Sequence, residues 1–418
     1  MRGRNDNISF GLPIGGGSVP QSFSDLSHLI VLETGGSVAT AFAGVMLADF
    51  GAKVIVCEDP PHGSTIRQLG GPAVQSVWWK IIGRNKLSIA FDSSRAAAVP
   101  LIERLCERAD VLLCSRFNSD TSSPWSDASQ SSVRPPLVVD MHTTGSDRPD
   151  LWPWSMRPEL AAAATGIMAL TGQKDGEPRQ PEFPLTEYLC GMMAATHTLA
   201  ELRRRSCTST GLASLQIAEH EAVQRMIEWQ ISVATALGRP ELRDGNNFSM
   251  AGGISYIHRT RDQHYVATSA ATQSVAMRLM RMIGGDALCA DPRFVTPATR
   301  SEHMPALITI IDKWISENSR DEVLEAADAH DVVIGPIYEA NDVLHDAHLK
   351  ARNNIVAIQD SEGRSLSMPN VLPRISGIEA SVNRLGPAIG ADTDEILQQL
   401  GFSPDDIQAL SASGVIWK

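Results

Sequence analysis

The stretch HLIVLETGGSVATAFAGVMLADFGAKVIVCE, residues 28–58, decides the fold of this chain. It begins with a short apolar strand, continues with a helix of small residues that ends at Gly51, and closes with a second apolar strand. A strand, a crossover helix and a second strand in this order form a right-handed unit with parallel strands. The alternation continues with a helix over residues 94–109 and strands over 110–115 and 136–143. The sequence therefore predicts an α/β fold with a parallel sheet covered by helices.

The size and composition of the chain indicate two domains in a soluble protein. With 418 residues, 43% of them hydrophobic, the chain exceeds the length at which single cores usually divide. No segment approaches the ~18 consecutive apolar residues of a membrane span. The Gly-rich residues 1–25 lack the apolar core of a signal peptide, so we expect a flexible arm there. The six scattered cysteines favour a reducing cytoplasm, and the net charge of -12 argues against nucleic acid as a partner.

The glycine turn after the first strand has more than one interpretation. Gly36 and Ser37 open a helix, and the N–H groups at a helix N-terminus can bind a phosphate. Glu58 follows the second strand, where a dinucleotide-binding fold holds ribose hydroxyls, so a nicotinamide-dependent oxidoreductase is one alternative. The GxGxxG pattern of that fold is absent, because the next glycine is Gly44. A tight turn without a ligand is also compatible with these residues.

Two further groups of polar residues are candidates for ligand binding. Arg84 and Lys86 flank one asparagine in the segment GRNKLSIAFD and form a compact positive pair in an acidic protein, although such pairs are usually only solvated. His345 and His348 are spaced so that they could share a helix face, as metal ligands can. No third ligand accompanies them, so we predict no metal. The GxSxG, Walker and HExxH motifs are absent from the sequence.

The segment EFPLTEYLCGMM, residues 182–193, places a single carboxylate, Glu187, at the start of a predicted helix. Thr186 can act as the N-cap, and an acid in the first turn is favoured by the helix dipole by about 0.3 to 1 kcal/mol. A purely structural role is therefore one interpretation. A carboxylate can also act as a nucleophile that forms covalent intermediates. The small residues in the next two turns would let a bulky ligand approach it.

A series of segments in a fixed order makes this chain resemble the class III CoA-transferases. That family comprises the formyl-CoA and carnitine-CoA transferases and also includes the α-methylacyl-CoA racemases. The markers include AGVMLADFGAKVIVCEDP, GRNKLSIAFD, PLTEYLCGMM, CADPRFVTPATRSEHMPAL and IGADTDEILQQLGFSPDDIQALSASGVI. The resemblance covers nearly the whole chain.

This resemblance implies a Rossmann-like large domain whose parallel sheet is built from both chain ends, a smaller α+β domain, and an interlocked homodimer. The expected parts are a flexible arm (1–25), the N-terminal part of the large CoA-binding domain (26–214), a linker helix (215–245), the small domain (246–335), and a return linker with the C-terminal part of the large domain (336–418). Acyl-CoA and a small carboxylic acid are the implied partners. Coenzyme A is then a substrate, and no tightly bound cofactor is expected.

Family members attack the thioester with an aspartate in a P-[ILV]-x-D step, and the segment PLTE places Glu187 at that position. The resemblance thus implies a mixed anhydride on Glu187, whose side chain is longer by one methylene, about 1.5 Å. Racemases carry a proton-transferring histidine where this chain has Leu160 and Ala161, so racemisation is not expected. These departures keep a second alternative open, an acyl-CoA-binding paralogue without the usual catalysis.

The resemblance also implies a set of CoA contacts on the large domain. The matching positions are at the turn after the first strand, at the NK step, beside the adenine, and in the RP step. They are Gly36, Ser37, Arg84, Lys86, Arg116, Phe117 and Arg157.

Overall fold

The computed structural model describes residues 26–115, 123–145, 158–208, 214–238, 243, 245, 253–375 and 380–418. The expected arm, residues 1–25, lies outside the described residues. Within the described residues, no helix is both long enough and apolar enough to cross a membrane.

A seven-stranded sheet forms the centre of the N-terminal half of the chain. Its strands are β1 (Ile30–Glu33), β2 (Lys53–Glu58), β3 (Leu87–Phe91), β4 (Val111–Ser115), β5 (Leu137–His142), β6 (Ser214–Ala218) and β12 (Ile416–Trp417). They lie in the order β12-β3-β2-β1-β4-β5-β6, and every pair is parallel except β12 with β3. The strand order reverses between β1 and β4, as in doubly wound α/β domains. The prediction of an α/β fold with a parallel sheet is confirmed.

Helices cover both faces of this sheet because its strands are apolar on both sides. On one face, α1 (Val38–Ala48) and α7 (Leu185–Cys207) share a core with β1, β4 and β5. On the other face lie α3 (Val99–Arg108), α16 (Thr393–Gln399) and α17 (Pro404–Ala412). Further helices around the sheet are α2 (Gly71–Ile82), α4 (Pro124–Ser131), α5 (Pro158–Thr165) and α6 (Ile167–Leu170). Pro100 lies in the first turn of α3, where its missing N–H costs no hydrogen bond.

Residues 214–218 form strand β6, so the expectation of a linker helix from residue 215 is wrong at its start. Leu215 and Ile217 pack into the same core as α1 and α7, and this burial outweighs the helical spacing of the apolar residues that follow. The helical part begins at Glu219 and consists of α8 (Glu219–Met226) and α9 (Glu228–Leu237). The break between them is at Ile227, which has non-helical φ and ψ angles of -108° and 20°.

A second unit lies within the expected small domain and has its own sheet and core. Strands β7 (Ile257–Arg259), β8 (Tyr265–Thr268) and β9 (Ile334–Pro336) form an antiparallel sheet. Its helices are α10 (Gln273–Cys289), α11 (Pro297–Glu302), α12 (Met304–Ser316) and α13 (Arg320–Ala329). Their apolar faces meet around Leu279, Phe294, Leu307 and Ile311, which are all fully buried.

The chain returns from this unit to the large sheet. The return passes through α14 (Ala340–His345), α15 (Ala347–Ala351) and a hairpin of β10 (Ile355–Gln359) and β11 (Ser365–Pro369). The Trp79 indole then donates a hydrogen bond to the Pro387 carbonyl at 2.6 Å, and the Ser88 N–H donates to Asp392 at 2.8 Å. Together with β12, these contacts make the C-terminal end of the chain part of the first sheet.

Candidate active site

Glu187 lies in the first turn of α7, at the edge of the sheet where the strands end. Because α7 connects the parallel neighbours β5 and β6, it runs back from the carboxyl edge of the sheet to its amino edge. Gly191, one turn further on, packs so closely on α1 that a Cβ atom there would stand 2.6 Å from the Ala39 carbonyl. Ala39 belongs to the first turn of α1, which follows the glycine turn. Glu187 and the glycine turn therefore share one edge of the sheet.

The Glu187 carboxylate is half-buried and lines an open cleft of about 890 Å³. The loop of residues 177–184 forms the remaining wall of this cleft. Oε2 accepts a hydrogen bond from the Thr186 hydroxyl at 2.7 Å, and Glu187 has no ion pair among the described residues. Pro184 and not Thr186 occupies the N-cap position, so the predicted capping role of Thr186 is wrong. Its hydroxyl orients the neighbouring carboxylate instead.

The side chains around Glu187 hold the first turn of α7 in place. The Tyr188 ring packs against Phe42 with centroids 4.5 Å apart and against Trp78 at 6.3 Å.

The thiol of Cys190, one turn after Glu187, is a weak acid. Burial raises the pKa of this thiol well above its ordinary value, with smaller contributions from acids that include Glu219 and Glu187. This thiol therefore stays protonated at neutral pH and does not compete with the carboxylate as a nucleophile.

The glycine turn is shaped by close contacts and by the cap of α1. Gly35 has a φ of 89°, and a Cβ atom there would stand 2.7 Å from the Ser115 carbonyl at the end of β4. Gly36 also has a positive φ of 60°. The Ser37 hydroxyl caps α1 by accepting a hydrogen bond from the Thr40 N–H at 3.1 Å. The turn thus has a structural reason for its glycines and its serine, whether or not a ligand binds there.

A crevice lies at the point where the strand order reverses, which is where doubly wound sheets bind ligands. A cavity of about 210 Å³ is bounded by Gly35 after β1, Ser115 at the end of β4, and Glu58 at the end of β2. A second cavity of about 190 Å³ adjoins it on the β2 side and shares the Gly35 and Glu58 walls. Both open at the carboxyl edge of the sheet.

Glu58 is held by protein groups and gives no support to the nicotinamide alternative. Its Oε1 accepts hydrogen bonds from the Arg67 Nε and the Ser64 N–H, both at 2.8 Å. Its Oε2 accepts from the Arg67 guanidinium at 2.6 Å and from the Ser88 hydroxyl at 2.5 Å. Because both oxygens of this buried carboxylate already accept hydrogen bonds from the protein, Glu58 stabilises the fold at β2 and β3 and is not free to accept from ribose hydroxyls.

Arg84 and Lys86, the predicted phosphate contacts, both lie in internal ion pairs. The Arg84 guanidinium donates to both carboxylate oxygens of Asp49, at 2.6 and 3.0 Å. The Lys86 ammonium is fully buried and donates to Glu33 at 2.7 Å and to the Ala41 carbonyl at 2.8 Å. Burial lowers the pKa of Lys86 and raises that of Glu33. The geometry therefore does not support phosphate binding by either cation.

The remaining predicted residues fall in different places. Arg116, Phe117 and Arg157 lie outside the described residues. Leu160 is exposed on α5, whereas Ala161 beside it is fully buried. His345 ends α14 and His348 lies on α15, so the expectation of a shared helix face is wrong. Within the described part of the chain, no three His, Cys, Asp or Glu side chains are grouped as metal ligands.

The family model described as CoA-transferase family III matches residues 26–393. The chain belongs to CoA-transferase family III. It is 30% identical to the succinyl-CoA–D-citramalate CoA-transferase of Chloroflexus aurantiacus, covering 94% of this chain and 98% of the relative. It is 24% identical to the succinate–glutarate CoA-transferase of Agrobacterium fabrum, over 91% of this chain and 97% of the relative.

The fold of this family III chain is also found in solved structures. A CaiB/BaiF family protein from Brucella suis superposes with a TM-score of 0.77 at 22% identity, covering 91% of this chain and 99% of the other. The likeness extends over nearly all of both molecules and supports the fold described above.

One part of the cleft in this family III member was missed by sequence reasoning. The loop before Glu187 contributes the cation Arg179, and Arg243 holds that loop by donating hydrogen bonds to the Gln173 and Gly176 carbonyls at 3.1 and 3.0 Å. The only sequence signal is an arginine in the proline-bounded segment EPRQPEFP, directly before the candidate nucleophile. Arg243 gives no local signal, because its partners are about 70 residues away.

Proposed function

We propose that this protein is an acyl-CoA:carboxylate CoA-transferase that uses Glu187 as its nucleophile. The observation that carries the proposal is the position of this carboxylate. It lies at the carboxyl edge of the sheet, lines a cleft of about 890 Å³, and has no ion pair among the described residues. Membership of CoA-transferase family III supports the reaction class.

In the proposed reaction, a Glu187 oxygen attacks the thioester carbonyl carbon of the donor. A C–O bond forms, the C–S bond breaks, and CoA leaves as the thiolate with the electron pair. The acceptor carboxylate then attacks the Glu187 carbonyl carbon and displaces the first acid as its carboxylate. Finally the CoA thiolate attacks the new acyl carbonyl, which gives the product thioester and regenerates the Glu187 carboxylate.

The longer side chain of Glu187 sets where the thioester must lie. Relative to an aspartate, the carboxylate extends about 1.5 Å further into the cleft. The Thr186 hydroxyl, 2.7 Å from Oε2, fixes its orientation. We infer that the cleft is built around the longer acid, with the thioester displaced outward by the same amount.

The substrates and the assembly are part of the same proposal. The two relatives described above are named for succinyl-CoA, citramalate, succinate and glutarate, which supports dicarboxylic substrates for this chain. We propose that CoA lies along the carboxyl edge between the glycine turn and Glu187, with contacts from Ser37, Arg116 or Phe117, and Arg157. We also propose that the chain divides into a large and a small domain, forms an interlocked homodimer and is located in the cytoplasm.

A Glu187→Gln variant tests the nucleophile. The amide keeps the size of the side chain but cannot attack the thioester, so CoA transfer from succinyl-CoA should fall by roughly 10³-fold or more. Glu187→Asp keeps the carboxylate but draws it back by about 1.5 Å, and should lose about a hundredfold. Circular dichroism serves as the control for folding. Transfer by the glutamine variant at the wild-type rate would refute the proposal.

A second function, acyl-CoA binding without turnover, is favoured by the residues at two positions. The resemblance implies reactive or polar groups where this chain has Leu160 and Ala161, and neither side chain can transfer a proton. The same assay separates the two functions. Wild-type transfer above the level of the Glu187→Gln variant excludes the binding function, whereas tight CoA binding with no transfer to any dicarboxylic acid supports it.

A further inference from the structure

The cleft in front of Glu187 has an unusual charge distribution for a site that receives acids. Its acidic lining residues are Glu177, Glu182 and Glu187. Arg179 is the only cation among the described residues that line it. A carboxylate that enters such a cleft is repelled by three like charges unless a cation meets it. Among the described lining residues, Arg179 is the side chain that can do so.

Arg179 is one of the residues that line the cleft. Its backbone N–H donates to the Thr171 carbonyl at 3.0 Å, which fixes the base of the side chain. Its Cγ atom lies 3.5 Å from where a Cβ atom of Gly172 would stand, so the stem passes over this glycine. The residue is exposed, and within the described residues it forms no ion pair. Its guanidinium can therefore bind an incoming anion.

The turn that precedes Arg179 is held by Arg243. The Arg243 guanidinium donates to the carbonyls of Ala169, Gln173 and Gly176, the first at 3.4 Å and the other two at 3.1 and 3.0 Å. The Gly245 N–H adds a hydrogen bond to the Gly172 carbonyl at 3.1 Å. Arg243 thus acts as a positioning residue, because it fixes the turn from which Arg179 extends.

We propose that Arg179 binds the distal carboxylate of a dicarboxylic acyl group or acceptor acid while the other end of the molecule reacts at Glu187. This inference rests on the proposed function and assigns the residue that selects its substrate class. A guanidinium matches a carboxylate with two parallel N–H···O bonds, so it fixes both the charge and the direction of the substrate. Monocarboxylic acids of the same length lack this contact.

The test compares succinyl-CoA with butyryl-CoA, which has four acyl carbons but no distal carboxylate. The measured quantity is the ratio of kcat/KM for the two donors, in the wild type and in Arg179→Gln. We expect the ratio to fall by roughly 10- to 100-fold, the range for losing a charge-assisted hydrogen bond. Arg179→Lys, which keeps the charge but loses the fork, should retain part of the preference. Lys174→Gln removes a cation from the same loop outside the cleft lining and should leave the ratio unchanged.

A binding measurement keeps this inference separable from the proposed function. In the Glu187→Gln background, which cannot turn over, titration calorimetry gives the Kd values of succinyl-CoA and butyryl-CoA with and without Arg179→Gln. Loss of the succinyl preference on Arg179→Gln supports the inference even if the wild type shows no transfer, in which case only the proposed function fails. Equal changes for both esters overturn the inference even if the wild type transfers CoA.

Discussion

The ammonium group of Lys86 is fully buried between β1 and α1, and its position explains several features of the sheet edge. Glu33 supplies the counter-charge at 2.7 Å, and the Ala41 carbonyl supplies a second acceptor. A Cβ atom on Gly44 would stand 2.2 Å from the Glu33 carboxylate, so a larger residue there would have to displace that carboxylate. Lys86 thus forms one buried polar centre with Glu33 and the Ala41 carbonyl, which are distant from it in the sequence.

At this scale we predict that replacing one member of the Lys86–Glu33 pair lowers the free energy of unfolding strongly, whereas replacing both members lowers it only a little. Lys86→Met leaves the Glu33 charge buried without a partner and should lower the free energy of unfolding by about 3–5 kcal/mol. The double variant Glu33→Leu, Lys86→Met replaces both charges by apolar groups and should recover most of that loss. Urea unfolding gives both values. Equal stability of the single and double variants would show that the two charges do not depend on each other.

The partners of individual residues are also where sequence reasoning failed. Glu187 could be placed near a helix start from its sequence neighbours, because helix signals are local, although the cap is Pro184 and not Thr186. The partners of Arg84 and Lys86 could not be found in this way, because Asp49 and Glu33 are 35 and 53 residues away in the sequence. Only the fold brings these charges together, and it turns two predicted phosphate contacts into structural ion pairs.

At the scale of helices and strands, the position of Glu187 depends on the packing of α7 against α1. Gly191 lets the two helices approach, since a Cβ atom there would meet the Ala39 carbonyl at 2.6 Å and the Phe42 Cβ at 3.1 Å. Any larger residue must push α7 away from α1. Because Glu187 is one turn from this contact, such a shift moves the carboxylate as well.

Gly191→Ala should therefore lower both stability and activity. Overpacking costs about 1–3 kcal/mol of unfolding free energy, and a shift near 1 Å at the carboxylate costs about a hundredfold in transfer rate. Thermal unfolding and the CoA-transfer assay measure the two effects. Gly335→Ala is the matched control, because no atom lies near its Cβ position. A Gly191→Ala enzyme with wild-type stability and rate would contradict the assigned helix contact.

The antiparallel sheet of the second unit contains a buried histidine that predicts a pH effect. The His258 Nδ1 is 2.6 Å from Asp312 and its Nε2 is 3.2 Å from the Thr268 hydroxyl. Burial lowers the pKa of His258, although Asp312 opposes the shift. The unfolded chain therefore binds a proton near pH 6.5 that the folded unit does not, and stability should decrease as the pH falls from about 7.5 to about 5.

Replacing this histidine should remove that part of the pH dependence. We expect His258→Asn to show a smaller fall in melting temperature between about pH 7.5 and about pH 5 than the wild type. His303→Asn, an exposed histidine in the same unit, is the control and should keep the wild-type slope. Identical slopes in the wild type and His258→Asn would mean that the buried imidazole does not titrate differently in the folded state.

Element types could be predicted where the pattern was local and strong. The first strands and helices of the sheet were predicted because strand and helix alternate with clear turn residues. Strand β6 was missed because its short alternating run leads directly into a helical pattern, and only its pairing with β5 defines it as a strand. The kink inside α10 at Gly285 was missed for a related reason, since a glycine in a helical pattern is often tolerated.

At the scale of the whole molecule, the fold brings distant segments to one edge of the sheet. The glycine turn after β1, the end of β4 and the start of α7 all lie at the carboxyl edge, although they span residues 35 to 187. The C-terminal strand β12 is the outermost strand of the same sheet and pairs with β3. The crevice at this edge, where the strand order reverses, is the place where α/β proteins of this kind bind ligands.

We could predict this arrangement of both chain ends in one sheet only from the family resemblance. Strand and helix patterns indicate a parallel sheet, but they do not state which strands are neighbours or that β12 joins β3. The charge lining of the cleft was beyond sequence reasoning, since Glu177, Arg179 and Glu187 become neighbours in space only through the turns of residues 172–184.

The central claim, a covalent intermediate on Glu187, is tested most directly by hydroxylamine trapping during turnover. Hydroxylamine attacks the activated Glu187 carbonyl of the anhydride, releases the bound acid and leaves a hydroxamate on the side chain. We predict that peptide mass spectrometry finds this hydroxamate on Glu187 only when succinyl-CoA is present. An unmodified Glu187 peptide from an enzyme that transfers CoA at its normal rate would contradict the account.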